Sequence, residues 1–177
     1  MSDSILSISN SSSTNSEQLQ QFLRFNLVPN TKLMIPLTEI AAVLKIPLGQ
    51  IVPIPEMPSW VMGVYNWRGQ IVWMIDMGEL LGFTPWYQQS LVASNHKAIV
   101  IHPRNQNQQN RSAGDLIGLV VSDVDEIENC DINLITSPPA SAVSDALAPY
   151  LRGYWVPEDG DIVIAIDGDS IFASMSR

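Results

Sequence analysis

Two histidines in this chain have a spacing that could support metal binding. His96 and His102 could form a metal-binding pair, but no Cys, Asp or Glu lies between them, and zinc sites in proteins use three or four such ligands. The two side chains would also share a strand face only by accident of register. We therefore interpret both as ordinary surface histidines.

Two acidic segments also resemble sites of known chemistry. The sequence Asp167-Gly168-Asp169-Ser170 is similar to an aspartic protease loop, but it lacks the Asp-Thr/Ser-Gly order and is interpreted as a turn. A second cluster could attract calcium, yet it lacks the spacing of an EF-hand. We interpret it as a solvated strand edge that discourages aggregation. Its members are Asp123, Asp125, Glu126 and Glu128.

Cys130 is the single cysteine, so an internal disulfide is excluded. It lies beside Glu128 and Asp131, whose negative charges raise a thiol pKa and make it a poor nucleophile. The chain has no Walker or Rossmann glycine pattern. The sequence therefore predicts no catalytic residues, metal ligands or cofactor-binding residues at these positions.

The composition predicts a folded, acidic protein. The 177 residues are 46% hydrophobic and 15% charged, which favours one domain or two small fused subdomains over a disordered chain. A net charge of −9 disfavours binding to nucleic acid and to anionic lipid. No signal peptide is recognisable, and the apolar runs are too short to span a bilayer. We expect a cytoplasmic protein with no direct membrane insertion.

Short apolar segments bounded by turn residues predict mostly strands. Residues 1–19 are rich in Ser, Asn and Gln and predict a disordered tail, and residues 104–115 predict a long polar hairpin loop. In Phe22–Val28, apolar and polar residues alternate, which predicts a half-buried strand. The other predicted strands are Leu33–Ile35, Gly63–Asn66, Ile71–Ile75, Ala98–His102, Leu116–Val121, Tyr154–Val156 and Asp161–Asp167.

Helix signals are few. Thr38–Leu44 is predicted as a short helix capped by Thr38, because Ala41, Ala42 and Leu44 are good helix formers. Asp76-Met77-Gly78-Glu79 has the spacing of a capping box, and Gly82 is placed to end that helix. Ser144–Tyr150 is predicted to add one or two turns. Many strands and few helices favour barrels or a sandwich over an α/β fold.

One turn carries residues suited to contacting another protein. Asn66 and Gly69 suit the turn by themselves, so a plain hairpin is sufficient to explain them. Arg68 is one of nine basic residues, and it suits a bidentate contact with a partner carboxylate, an intradomain salt bridge or solvent. Trp67, predicted within the turn, is a candidate exposed anchor. Trp60 is predicted at the core or its rim, and the direction of Trp73 stays open because Ile71–Ile75 is apolar on both faces.

These segments together resemble the CheW-like domain, the coupling module of bacterial chemosensory systems. The motif with the most matching positions is Pro58-x-Trp60-x-x-Gly63-Val64-x-Asn66-x-Arg68-Gly69. Four blocks carry the resemblance in the same order as in the family. They are residues 21–27 with 34–40, residues 58–69 with 75–82, residues 117–124 with 138–139, and residues 150–153 with 162–167.

The resemblance implies an all-β fold of two SH3-like five-stranded β-barrel subdomains that share a hydrophobic core, with a few short helices. The domain would span residues 20–177, with the division between subdomains near residues 82–96. It also implies a non-enzymatic adaptor recruited to membrane receptor arrays. Its partners would be the regulatory domain of a CheA-type histidine kinase and the signalling tip of a methyl-accepting chemoreceptor.

The candidate protein-binding residues are Val64, Asn66, Trp67, Arg68, Gly69 and Glu39. The family often has an acidic residue shortly after the segment that matches Thr38–Ile40, but this chain has Ala41 and Ala42 there, directly after Glu39. That departure leaves open a scaffold or competitor that does not couple to a kinase. A small β-barrel hydrolase or ligand-binding protein is the remaining alternative, and the sequence has no convergent set of polar groups for it.

Overall fold

The computed structural model describes residues 18–89, 94–104, 115–158 and 160–176, and these residues are mostly in strands. Two short α-helices join the strands, and single 3-10 turns lie between them. The strands are β1 (Leu19–Leu27), β2 (Thr31–Pro36), β3 (Ile40–Pro47), β4 (Val61–Trp67), β5 (Gln70–Asp76), β6 (Asn95–Ile101), β7 (Leu116–Val121), β8 (Asp123–Asp131), β9 (Leu151–Trp155) and β10 (Val163–Ile166), and the helices are α1 (Met77–Leu80) and α2 (Gly168–Met175).

The strands form two five-stranded sheets. Sheet A has the order β8-β1-β2-β10-β9, and sheet B has the order β3-β6-β7-β5-β4. Neighbouring strands are antiparallel except for β2 with β10 and β5 with β7, which are parallel. This arrangement is the one expected for two SH3-like subdomains, so the predicted all-β fold class is confirmed.

The largest core cluster lies between the two sheets and takes side chains from both. Sheet A contributes Leu23, Phe25, Leu27, Leu33, Ile35 and Ile166, and sheet B contributes Ile75, Ile99, Ile101, Ile117, Leu119 and Val121. A second cluster belongs to sheet B, around Val72 and Met74, and a third belongs to sheet A, around Phe22 and Met34. The predicted shared core is therefore present, and each sheet is buried on both faces.

Burial on both faces explains why β1 differs from its prediction as a half-buried strand. Leu23, Phe25 and Leu27 enter the shared core as their alternation predicts. Arg24, on the opposite face, is also buried, at 5% exposure, and its Nη1 donates to Glu128 Oε2 at 2.7 Å. The buried guanidinium is tolerated because a carboxylate on the neighbouring strand β8 accepts from it.

Helix α1 forms where the predicted cap lies. Asp76 Oδ1 accepts from the backbone N–H groups of Gly78 and Glu79 at 3.1 and 3.4 Å, and Oδ2 accepts from Trp86 N–H at 3.0 Å. At the other end, Gly82 has φ +78°, and Phe83 N–H donates to Gly78 O at 2.7 Å. This is a Schellman-type end, in which glycine supplies the left-handed residue.

The helix predicted over Thr38–Leu44 is wrong. Only Leu37–Glu39 forms a 3-10 turn, and Ile40–Pro47 continues as strand β3. Strand β3 pairs antiparallel with β6 from Ile40↔Ile101 to Pro47↔Asn95. The pairing and the packing of Ala41, Ala42 and Leu44 against the sheet B cluster outweigh the helix propensity of these residues.

The turn predicted at Asp167-Gly168-Asp169-Ser170 is also wrong, because these residues begin helix α2. Asp167 is the N-cap, and its Oδ1 accepts from Asp169 N–H at 3.1 Å. The acidic residues interpreted as a strand edge lie in β8, which is indeed an edge strand of sheet A. The segment predicted to add one or two turns supplies one 3-10 turn, Ala148–Tyr150.

The division between subdomains predicted near residues 82–96 stays a prediction, and no change of sheet falls in that segment. Strands β4 and β5 precede that segment and β6 and β7 follow it, yet all four lie in sheet B. Sheet A instead combines β1 and β2 with β8, β9 and β10, so its strands come from both ends of the chain. The predicted tail, as far as residue 17, and residues 105–114 of the predicted polar loop lie outside the described residues.

Candidate protein-interaction surface

The hairpin between β4 and β5 is closed by two residues, Arg68 and Gly69. Trp67 pairs with Gln70 across the hairpin, and both turn residues have positive φ, +52° for Arg68 and +78° for Gly69. Positive φ at both central residues is typical of the type I′ turn that matches the twist of a two-stranded hairpin. Asn66 Oδ1 accepts from Gly69 N–H at 3.0 Å and fixes the turn from inside.

Arg68 is exposed at the tip of this turn. Its Cζ lies 5.3 Å from the centroid of the Trp67 ring, within cation–π distance. Within the described residues, Arg68 forms no ion pair with a carboxylate. Of the three alternatives for this side chain, the intradomain salt bridge is therefore not observed, and the guanidinium keeps its five donors for solvent or a partner.

Trp67 differs from its prediction as an exposed anchor within the turn. It is the last residue of β4, it is half-buried, and it packs against the sheet B cluster. Trp60 matches its prediction, since it packs half-buried against the shared core. The aromatic side chain of Trp67 therefore supports the hairpin from one side and presents part of its ring next to Arg68.

Val64 lies in a part of β4 that is held from both edges. On one side it pairs with Trp73 of β5. On the other, Val64 N–H donates to Val52 O and Val52 N–H donates to Val64 O, both at 2.9 Å. The approach of residue 52 is close because position 63 is glycine: a Cβ there would lie 2.1 Å from Val52 O.

The structure settles the direction of Trp73, which the sequence left open. Val72 and Met74 point into the sheet B cluster, and Trp73 points to the opposite face, where Ile75 enters the shared core. There Trp73 lines a groove of about 410 Å³, which we call the Trp73 groove. Its apolar lining consists of Met57, Trp73, Pro103, Ile117, Phe172 and Met175.

The Trp73 groove lies on the same face of sheet B as Val64 and Asn66, because directly paired residues of antiparallel strands share a face. Val64 and Trp73 are such a pair, and Asn66 pairs with Ile71, which is 44% exposed. The residues that sequence reasoning missed are Trp73 and Ile71 on β5 and Phe172 and Met175 on α2. The alternation along β5 was the only signal for Trp73 and Ile71, and both faces of that strand are apolar. Phe172 and Met175 had no signal, because helix α2 was predicted as a turn.

Glu39, predicted as a protein-binding residue, does not lie on this surface. It is 2% exposed and lies beside β3 and the end of β6, at the edge of sheet B opposite the hairpin. Its Oε1 is 3.1 Å from Arg104 Nε. Burial raises the pKa of the Glu39 carboxyl, and the Arg104 charge opposes that increase. Direct contact between Glu39 and a partner would require this pair to open.

Cys130 and His96, which were considered as reactive groups, are both buried in the fold. Burial, with help from Asp131 and Glu128, raises the pKa of Cys130 to about 11, as expected for a poor nucleophile. His96 is not a surface residue as predicted: it is 8% exposed, and its ring meets that of Trp86 edge-on at 4.8 Å. The described residues contain no group of three or more His, Cys, Asp or Glu arranged to hold a metal ion.

A small polar cavity of about 110 Å³ lies beside His96. Asp76 and Lys97 also line it, but the Asp76 oxygens accept from backbone N–H groups at α1 and Trp86, and Lys97 Nζ is paired with Asp123. These side chains are therefore already engaged within the fold. No helix in the described part of the chain is long and apolar enough to cross a bilayer.

Comparison with known proteins identifies one family. A model of the CheW-like domain matches residues 21–176. The crystal structure of scaffolding protein TtCheW from Thermoanaerobacter tengcongensis matches 84% of this chain and 88% of its own, with a TM-score of 0.66. The two sequences are 23% identical, so this likeness shows the fold alone. A search of curated proteins found no match.

Proposed function

Because this chain belongs to the CheW-like domain family, we propose that it is a chemosensory adaptor that couples transmembrane chemoreceptors to a CheA-type histidine kinase. The family consists of scaffolds and adaptors of chemotaxis signalling. The observation that carries the proposal is the family match, which extends over almost all of the described residues. The adaptor would act without catalysis, by holding two protein interfaces at once and transmitting a change at one to the other.

The tip of the hairpin between β4 and β5 supports the proposal because it carries the positive charge of Arg68. Arg68 is an exposed arginine in a chain of net charge −9, and the type I′ turn holds its backbone rigidly. A planar guanidinium binds a carboxylate through two parallel hydrogen bonds, and it also binds the free carbonyl groups at a helix end. We propose that Arg68, with Asn66, Gly69 and Val64 beside it, contacts the receptor tip or the kinase regulatory domain.

The Trp73 groove supports the proposal because the side chains that line it are mostly apolar. It presents aromatic and methionine side chains, and methionine adapts to partner side chains of different shapes. An amphipathic helix could place its apolar face in the groove, next to Val64 and Ile71 on the same face of sheet B. Such a helix is the form of a coiled-coil receptor tip. In a cell the protein would be recruited from the cytoplasm to receptor arrays, where it would steer flagellar, twitching or light-directed movement.

The scaffold or competitor alternative keeps the same family and fold without kinase coupling. It is favoured by two observations at β3: Ala41 and Ala42 stand where the family often has an acidic residue, and the nearby Glu39 is buried. An apolar segment of this kind would weaken any contact that needs a carboxylate on this edge of sheet B. A binding titration with the regulatory domain of the kinase distinguishes the two roles.

The test is an equilibrium binding titration of the full chain, first with the regulatory domain of a CheA-type kinase and then with a receptor signalling-tip fragment from the same organism. We expect saturable binding to both. Binding to the receptor fragment alone would support the scaffold or competitor role. Binding to neither, with the protein shown to be folded, would contradict the coupling proposal while leaving the family assignment intact.

A further inference from the structure

Arg104, at the end of β6, lies among three carboxylates. Its Nε is 3.1 Å from Glu39 Oε1 and 3.4 Å from Asp169 Oδ2, and its Nη2 is 2.9 Å from Asp167 Oδ1. Its backbone N–H donates to Asp169 Oδ1 at 3.2 Å. We call these four residues the Arg104 cluster. These three guanidinium contacts are charge-assisted, which makes them stronger than neutral hydrogen bonds.

The Arg104 cluster joins the two sheets. Glu39 lies directly before β3, and Arg104 lies shortly after β6. Both of these strands belong to sheet B. Asp167 directly follows β10 of sheet A and caps helix α2, and Asp169 lies in the first turn of that helix. The guanidinium is therefore the point at which sheet B holds the start of α2.

Helix α2 forms a wall of the Trp73 groove. Ile171 is fully buried in the shared core, while Phe172 and Met175 line the groove opposite Trp73. The other end of the helix is held by a hydrogen bond of 2.7 Å between Tyr150 Oη and Ser174 Oγ. The N-cap is also held by Asp167 N–H, which donates to Tyr150 O at 2.9 Å, and Ile171 is held in the core. The separation of Phe172 and Met175 from Trp73 depends on where these attachments hold the helix.

We propose that Arg104 is a positioning residue that fixes helix α2 against sheet B and so sets the width of the Trp73 groove. The effect on partner binding rests on the function proposed above, but the effect on the helix does not. Arg104 lies at the far end of α2 from the Tyr150–Ser174 contact, so its loss would loosen the first turn of the helix, while the last turn stays attached.

The cluster differs from an ordinary surface ion pair in the burial of Glu39. Exposed pairs contribute little because water solvates both partners when they separate. The Glu39 side chain is 3% exposed and cannot exchange Arg104 for water in place. A Cβ at Gly168 would lie 2.5 Å from Glu39 Oε2, so the carboxylate also packs directly against the first residue of α2. Removing the arginine leaves a buried, unpaired charge, which the fold can relieve by moving the helix.

Hydrogen exchange on the full chain without any partner tests the positioning role. In Arg104→Ala we expect the amides of residues 172–176 to exchange about tenfold faster relative to those of β7, as the loss of a buried charge-assisted contact implies. We also expect the Trp73 indole N–H resonance to shift. The matched control is Lys97→Ala, which removes an exposed ion pair with Asp123 and should leave both signals unchanged.

The pH dependence separates this mechanism from a general loss of stability. In Arg104→Ala, Glu39 still faces Asp167 and Asp169, with Arg152 as the remaining nearby cation. Its pKa, already raised in the folded protein, rises further, so the stability that protonated Glu39 provides is lost as pH increases above about 4.5. The excess exchange in α2 should therefore grow from pH 4.5 towards neutral, and Arg104→Ala with Glu39→Gln should reduce it.

Two results would overturn the proposal. One is unchanged exchange in α2 of Arg104→Ala, and the other is an increase that is equal in α2 and β7 or independent of pH. Titration of the receptor-tip fragment then tests the consequence for binding, where we expect about tenfold weaker affinity for Arg104→Ala than for Lys97→Ala. If the unmodified chain binds no partner, the proposed function fails, and the exchange data alone decide the role of Arg104.

Discussion

Arg68 holds a backbone conformation that glycine and asparagine adopt more easily than arginine. A left-handed φ costs a residue with a Cβ about 1 kcal/mol, and Arg68 adopts it at +52° on an exposed turn. Its cation–π contact with Trp67 returns about 0.5 kcal/mol at such a site. The remaining strain at this position is consistent with a residue retained for binding.

Arg68→Asn should therefore separate stability from binding. We expect the free energy of unfolding to stay unchanged or rise by about 0.5 kcal/mol, because asparagine tolerates the left-handed region. Affinity for the receptor tip or the kinase regulatory domain should fall about tenfold or more with the loss of a charge-assisted contact. Urea unfolding and equilibrium titration measure the two effects.

Arg68→Glu is the stronger form of the same substitution, since it places a negative charge where a partner carboxylate is expected. If either variant binds both partners at unchanged strength, Arg68 is not part of either interface. A fall in both stability and affinity would indicate that the hairpin itself had changed.

His96 makes stability depend on pH because burial lowers its pKa from the ordinary 6.5. The folded protein then binds the proton less readily than the unfolded chain. The stability that neutral His96 provides is complete above pH 6.5 and is lost as pH falls through the lowered pKa. As pH falls below about 6.5, the free energy of unfolding should therefore decrease.

The measurement is urea unfolding at a series of pH values for the natural chain and for His96→Gln. We expect the variant to lack the part of the pH slope that His96 contributes. His102→Gln is the matched control, since it makes the same substitution at the other histidine of the chain and leaves His96 in place. Identical slopes in all three proteins would show that His96 is not the group responsible.

At the scale of elements, the approach of residue 52 to β4 depends on Gly63. A Cβ at this position would lie 2.1 Å from Val52 O and 2.6 Å from its carbonyl carbon, and φ is +139°. Gly63→Ala should therefore break the bridge between Val52 and Val64 and lower the free energy of unfolding by about 3 kcal/mol. Because Val64 faces Trp73, binding should weaken as well.

Gly49→Ala is the control for Gly63→Ala. Gly49 also has a positive φ, +88°, but its added Cβ would have no atom within 4 Å. It should cost only the backbone strain, about 1 kcal/mol. Equal losses in the two variants would show that crowding against Val52 contributes nothing.

The elements that the sequence predicted correctly are those whose local signals agree with their packing. Asp76 caps α1 and Gly82 ends it because capping depends on neighbouring residues alone. Strand β3 is wrongly predicted as a helix because its alanines are helix formers, and only pairing with β6, about fifty to sixty residues away, makes them a strand. Helix α2 was missed because Asp-Gly resembles a turn, and its attachment through Arg104 depends on a distant residue.

In the candidate surface, too, the local feature was predictable from the sequence and the long-range features were not. The Asn66–Gly69 turn follows from local backbone preferences, and the structure has it as a two-residue hairpin. The Trp73 groove was not predictable, because it requires α2, from the end of the chain, to lie across β5 and β7. The burial of Glu39 has the same cause, since its partner Arg104 follows it by 65 positions.

At the scale of the whole molecule, the two sheets are interleaved in sequence. Sheet B occupies the middle of the chain, and sheet A is built from segments on both sides of it. The shared core takes roughly equal contributions from both sheets, so removing either one would expose large apolar side chains of the other.

The shared core predicts that both sheets unfold together. Trp155 reports on sheet A, where it is 8% exposed in the third cluster, and Trp67 reports on sheet B. Their indole N–H resonances, followed through a urea titration, should lose native intensity at the same concentration, because neither sheet retains a complete core alone. Ile99→Val, in the shared core, should lower both midpoints together by an amount equivalent to about 1 kcal/mol. Two separate midpoints, or a shift of the Trp67 signal alone, would show that the sheets fold independently and that the shared core does not couple them.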